Sequence, residues 1–134
     1  MSPWQELDHT ADWALQIWAP SLEQLFTDAA RGMFQLAGVE AGKGAARRLA
    51  IRVEAPDYEA LLVAWLQELL YQAEAGRLAF DDYQIKSLTP TTLVAEATGR
   101  PDAHQGSRIK AVTYHDLAIV CDEAGCTASI VFDV

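Results

Sequence analysis

Between residues 58 and 70 the apolar side chains Tyr58, Leu61, Leu62, Trp65, Leu66, Leu69 and Leu70 recur at steps of three and four. That spacing lines one face of an α-helix and fits little else of this length. Asp57, directly after Pro56, is a good N-cap, and Gly76 is a natural stop, so the pattern predicts a helix over 57–75. A second stripe, formed by Leu22, Leu25, Phe26, Ala29, Ala30, Met33 and Phe34, predicts a helix over 21–37. Ser21 with Gln24 fits a capping box there, and Gly38 a stop. Both stripes read as core faces.

The remaining segments alternate with a period near two, as half-buried strands do. They cover 13–18, 49–55, 83–88, 91–98, 109–114, 117–121 and 127–134. Trp13, Leu15 and Ile17 share one side of the first, and Ala128, Ile130 and Phe132 one side of the last. Pro90 and Asp122-Glu123-Ala124-Gly125 mark hairpin turns. Strand, helix, strand, helix and then successive hairpins predict an α+β fold, with two helices packed on a mostly antiparallel sheet. A chain of 134 residues suits one domain over 1–134, and no linker interrupts it. Loops at 38–48 and 99–106 are expected to be mobile.

No apolar run approaches the roughly 20 residues that span a bilayer. The start, Met1-Ser2-Pro3-Trp4-Gln5-Glu6, lacks the basic and apolar regions of a signal peptide. A cytoplasmic protein without a membrane partner is therefore expected. Cys121 and Cys126 face each other across the last turn, and in a reducing compartment they read as free thiols. A lone C-x4-C pair is a poor zinc signal.

The net charge of −9 argues against general affinity for nucleic acid, whose phosphates attract Lys and Arg. The charge is also uneven. Residues 1–30 hold Glu6, Asp8, Asp12, Glu23 and Asp28 and no Lys or Arg, and Asp116, Asp122, Glu123 and Asp133 follow Lys110 with no further cation. Two acidic ends that met in the fold would favour a cation or a basic partner surface. They would equally serve as solvated faces.

Three segments carry candidate chemistry. Asp8-His9-Thr10-Ala11-Asp12 is the densest polar cluster. Short polar side chains of this kind bond local backbone in turns, and carboxylates also bind hard cations. Lys110-Ala111-Val112-Thr113-Tyr114-His115 places a cation and an imidazole at the two ends of a strand, and His115 fits a simple turn residue as well. Val131-Phe132-Asp133-Val134 carries a strand pattern to the last residue, bringing Asp133 close to the terminal carboxylate. Phosphate-loop, dinucleotide-binding, zincin and nucleophile-elbow motifs are all absent.

These segments, with Ala29-Ala30-Arg31-Gly32-Met33-Phe34 and Leu61-Leu62-Val63-Ala64-Trp65-Leu66-Gln67-Glu68-Leu69-Leu70-Tyr71, together resemble the archease family, in its order and nearly end to end. Trp13 stands where that family's pattern suggests a smaller aliphatic residue, and the stretch from Gly99 to Arg108 follows it less closely. The resemblance implies an SHS2-related fold. It also implies a protein cofactor, with no reaction of its own, that promotes guanylylation of an RtcB-type RNA ligase in tRNA splicing. RNA would be met only through the ligase. A divalent cation is implied, calcium first, with magnesium or manganese as alternatives. Its ligands by position are Asp12, Asp133 and a main-chain or terminal oxygen of Val134. Asp8, His9, Lys110 and His115 fall in the same motifs and are candidates for the partner-facing surface or for supporting the ligands. The rival readings are a small metal-dependent phosphoesterase and a general chaperone or scaffold.

Overall fold

The computed structural model describes residues 3–7, 13–101 and 109–134, and within them Ser21 and Asp57 open two helices. In α1, Leu22–Leu36, the Ser21 hydroxyl accepts from the Gln24 N–H at 3.1 Å. The return half of the expected capping box does not form. Gln24 Nε2 instead donates to Asp28 Oδ1 at 2.8 Å. Asp28 is only 6% exposed, and a carboxylate so placed needs a donor more than the exposed helix start does.

In α2, Tyr58–Gly76, Asp57 Oδ1 accepts from the Ala60 N–H at 2.7 Å. The expected stop at Gly76 comes one residue late. Arg77 takes the left-handed conformation, with φ 51 and ψ 46. Leu78 N donates to Ala73 O at 2.9 Å and Arg77 N to Glu74 O at 3.4 Å, the paired bonds of a Schellman ending. Leu78 is 3% exposed. Burying this apolar residue just after the turn sets where the turn falls, against the preference for glycine at the left-handed position.

The strands are β1 Trp4–Leu7, β2 Trp13–Ala19, β3 Arg47–Glu54, β4 Ala79–Leu88, β5 Thr92–Arg100, β6 Ala111–Thr113, β7 Val120–Asp122 and β8 Gly125–Asp133. The α+β class and the antiparallel pairing hold, with the strands divided between two sheets. One sheet runs β1-β2-β8-β6, with β7 also paired to β8, and the other runs β3-β5-β4. Each helix touches both sheets. α1 packs on β1, β2 and β8 and reaches β4, while α2 packs on β3 and β5 and reaches β6. That double contact explains why α2 buries side chains around most of its circumference, including Val63 and Ala73 outside the predicted stripe.

The core lies where the layers meet. Trp65, Phe26, Phe132, Leu15, Ile17, Leu61, Leu66 and Leu69 are fully enclosed. Each such side chain contributes about 1.5–3 kcal/mol by leaving water. Trp65 Nε1 donates to Phe26 O at 3.0 Å, and its ring meets Tyr83 edge-on at 6.1 Å, so this residue links α2 to α1 and to β4. Gly32 marks a close approach of α1 to the first sheet. A Cβ there would lie 2.7 Å from Leu15 Cδ2 and 3.1 Å from the Trp4 ring.

The strands expected over 109–114 and 117–121 are shorter than predicted, and residues 114–119 run between β6 and β7 outside the sheet. Side chains of α2 satisfy backbone donors along this stretch. Gln67 Oε1 accepts from Val112 N at 2.6 Å, and Glu59 Oε2 from Ile119 N at 3.0 Å. The loop after α1 is tied down as well, since Lys43 N and Gly44 N both donate to Pro101 O.

Cys121 and Cys126 form a disulfide, where free thiols were expected. The β7–β8 register sets them directly opposite one another, so neighbouring backbones alone bring the sulfurs together. Gly125 closes that turn at φ 135, a value side-chain-bearing residues rarely adopt, with Ala19 O only 2.4 Å from where a Cβ would stand. Among the described residues no helix is long and apolar enough to cross a membrane.

Candidate functional site

Antiparallel pairing gathers strand ends at one end of the first sheet. β8 finishes there with Asp133, β6 begins there with Ala111 opposite Asp133, and β2 begins with Trp13 opposite Phe132. Leu7, at the end of β1, pairs with Ala14. The described residues on either side of 8–12 therefore both lie at the end of the sheet where β8 stops. Lys110 N donates to Asp133 O at 2.7 Å, extending the β6–β8 pairing by one residue.

Asp133 is exposed, and its carboxylate takes part in no hydrogen bond or ion pair with a described residue. An uncompensated surface carboxylate is an available oxygen donor of the kind hard cations prefer. Val134 beside it is half-buried and packs against the core, which fixes the backbone at this point. No group of three His, Cys, Asp or Glu side chains converges anywhere among the described residues. Asp133 and Val134 thus offer oxygen chemistry suited to a hard divalent ion but are too few to enclose one, since calcium takes six to eight oxygens. Asp8, His9 and Asp12 lie outside the described residues.

Lys110 is exposed, next to Asp133 along the backbone ladder. With Gln67, Tyr71 and Glu74 of α2 it lines a cavity of about 360 Å³. His115 sits elsewhere. It lies two residues past Thr113, which pairs with Val131, and its Nε2 is 3.2 Å from Asp116 Oδ2. The strand therefore brings Lys110 to Asp133 and carries His115 away from it.

Gln67 and Glu59 escape a reading based on motifs, because their work is to hold backbone, Gln67 that of β6 and Glu59 that of the segment leading into β7. Their sequence signal is faint: two polar residues eight apart in a helix that is otherwise heavily apolar. Tyr71 and Tyr114, 65% and 60% exposed, are large apolar groups left in solvent near this seam, and alternation had placed Tyr114 within a strand.

Residues 4–134 match the model of the archease protein family (MTH1598/TM1083). The archease of Methanopyrus kandleri is 31% identical over 139 residues, covering 98% of this chain and 99% of that one. The archease of Thermococcus kodakarensis is 33% identical over 127 residues, covering 89% of each. In three dimensions the chain is similar over its whole length to the solution structure of Methanobacterium thermoautotrophicum protein 1598, with a TM-score of 0.72 at 28% identity. It also shares the fold of a Thermotoga maritima protein described as an archease and possible chaperone, with a TM-score of 0.70 at 23% identity over 97% of this chain and 96% of that one.

Proposed function

The chain belongs to the archease family, and on that premise we propose that it acts as a protein cofactor of an RtcB-type RNA ligase, promoting the ligase's guanylylation during tRNA splicing or RNA repair without catalysing a reaction of its own. The part played in the cell is chaperone-like, in keeping with the description of the Thermotoga relative. The working surface is the acidic end of the first sheet. Asp12, Asp133 and an oxygen of Val134 hold a divalent cation there, calcium first and magnesium or manganese as alternatives. When bound, that ion supplies positive charge against phosphate oxygens.

The observation that carries this reading is Asp133 itself: exposed, without a side-chain partner among the described residues, and held on a backbone fixed by Phe132 opposite Trp13 and by Lys110 N. Lys110 borders the same surface and offers a cation to a partner's phosphate or carboxylate. Asp8 and His9 support the ligands or face the partner, and His115 belongs to the outer margin of the contact. The net charge of −9 steers the protein toward a basic cleft of the kind that holds RNA, and RNA is met only through the ligase. The setting is the cytoplasm.

Calorimetric titration with calcium tests the tip. Saturable binding at about one ion per chain, lost in a folded Asp12→Asn/Asp133→Asn double variant, is expected. Undiminished binding by that variant would remove these ligands from the proposal.

A further inference from the structure

A second concave site lies on the side of the molecule formed by α1 and β4, and nothing in the proposed tip chemistry uses it. The cleft has a volume of about 490 Å³, within the range of small-molecule sites. Phe34 and Phe80 form an aromatic wall, their ring centroids 5.8 Å apart, and Tyr83 continues it 6.1 Å from Phe80. Arg31, Arg100 and Asp81 complete the polar lining.

The two guanidiniums differ in how far they are already committed. Arg100 Nε is 3.4 Å from Asp81, and its Nη1 donates to Gly44 O at 3.3 Å, so it is both a wall and a brace for the neighbouring loop. Arg31 lies over the Tyr83 ring with its central carbon 5.6 Å from the centroid. Its nearest carboxylate oxygen, on Asp28, is 3.9 Å away, beyond hydrogen-bond range. A guanidinium has five N–H donors, and Arg31 spends none of them on a described residue. Burial among these rings raises the Tyr83 phenol well above its ordinary range, so the cleft gains no negative charge from it at neutral pH. Arg31 and Arg100 bring two cations to the recess, balanced by Asp81 in its lining and Asp28 beside Arg31, so it is close to neutral in a chain of net charge −9 and offers guanidinium donors to an anion.

We infer that this cleft binds a small organic anion that carries a flat ring, the ring lying along the partly open Phe80 at the edges of Phe34 and Tyr83 and its phosphate or carboxylate taken by Arg31 and Arg100. A planar guanidinium matches either group with two parallel hydrogen bonds, which accounts for arginine in both positions. The loop over the cleft is held in place by the bonds from Lys43 N and Gly44 N to Pro101 O, at 3.0 and 3.3 Å. The recess therefore exists before any ligand arrives, and binding needs no large reordering.

Amide-resolved NMR titration of the full chain tests the inference, with 1-naphthyl phosphate and 1-naphthoate as probes and inorganic phosphate and 1-naphthol as controls. Saturable shifts confined to the backbone around 31–35, 41–44 and 79–83 are expected with both aryl anions, and the tighter of the two identifies the anionic group preferred. Arg31→Gln should weaken aryl anion binding by about tenfold or more, as loss of a charge-assisted contact does. Its spectrum should otherwise change only around Tyr83 and Asp28, since Arg31 makes no hydrogen bond to a described residue. Arg31→Lys should fall between the two, and Arg100→Gln should weaken binding in parallel. Absence of saturable binding, shifts scattered over the surface, or an affinity unchanged in Arg31→Gln would overturn the site. Inorganic phosphate binding as tightly as the aryl phosphate would overturn the part assigned to the rings.

Discussion

The two sheets differ in how their carboxylates are matched, although Asp82 on β4 is as exposed and as unmatched among the described residues as Asp133. On the β3-β5-β4 sheet, Glu96 lies 3.7 Å from Arg48 and 3.9 Å from Lys86, Glu54 lies 3.0 Å from Arg52, and Asp81 lies 3.4 Å from Arg100. At the end of the first sheet, Asp133 has no such partner among the described residues, although Lys110 is its backbone neighbour. A surface whose only task is to stay solvated and folded can mix its charges, as the second sheet does. Leaving a carboxylate unmatched where strand ends converge serves stability poorly and cation or partner binding well. On the proposed function, the contrast sets the paired charges of the second sheet apart from the end of the first sheet that carries Asp133.

Five substitutions break or sharpen that division. The largest effect is expected at the element both sheets share. Trp65→Ala removes the ring between the helices and Tyr83, with its bond to Phe26 O, and should cost about 3–5 kcal/mol in urea unfolding. A loss under about 1 kcal/mol would mean that the sheets are not coupled through α2. Next, Gly32→Ala should destabilise by about 1–3 kcal/mol. The helix gains from alanine but must push Leu15, which is only 1% exposed, out of its packing.

The third effect has the opposite sign. Arg77→Gly should raise stability by up to about 1 kcal/mol, because glycine takes the left-handed position without a steric cost. The smallest effects compare the charges directly. Glu96→Gln should cost no more than about 1 kcal/mol at low salt and lose most of that at high salt. Asp133→Asn without added divalent ion should leave unfolding unchanged to within about 0.5 kcal/mol, since no described partner is lost.

The helices were legible because their signal is local. The stripes through Phe26 and Trp65 and the caps at Ser21 and Asp57 need only a few adjacent residues to be read. Features fixed by distant contacts were not. The left-handed residue falls on Arg77 because Leu78 finds a buried place, and no glycine rule contains that information. The strands split into two sheets because each helix has room to pack on both. The disulfide follows from hairpin register, which overrode an expectation drawn from the cellular compartment. At the candidate site, acidic ends and a strand running to Val134 were visible as composition, whereas the choice of Asp12, Asp133 and Val134 rested on family resemblance. The pairing of Trp13 with Phe132 sets the start of β2 beside the end of β8. The cleft at Arg31 had no sequence signal, because its rings and guanidiniums come from α1, β4 and β5, far apart in the chain.

The most direct measurement is the rate of guanylylation of a cognate RtcB-type ligase with GTP and a divalent ion, in the presence of the wild-type protein, of folded Asp12→Ala/Asp133→Ala, or of neither. The expected result is acceleration by the wild type that falls to the unassisted rate with the double variant. Equal acceleration by both proteins would contradict the role given to the acidic end, and no acceleration by the wild type would contradict the proposed function itself.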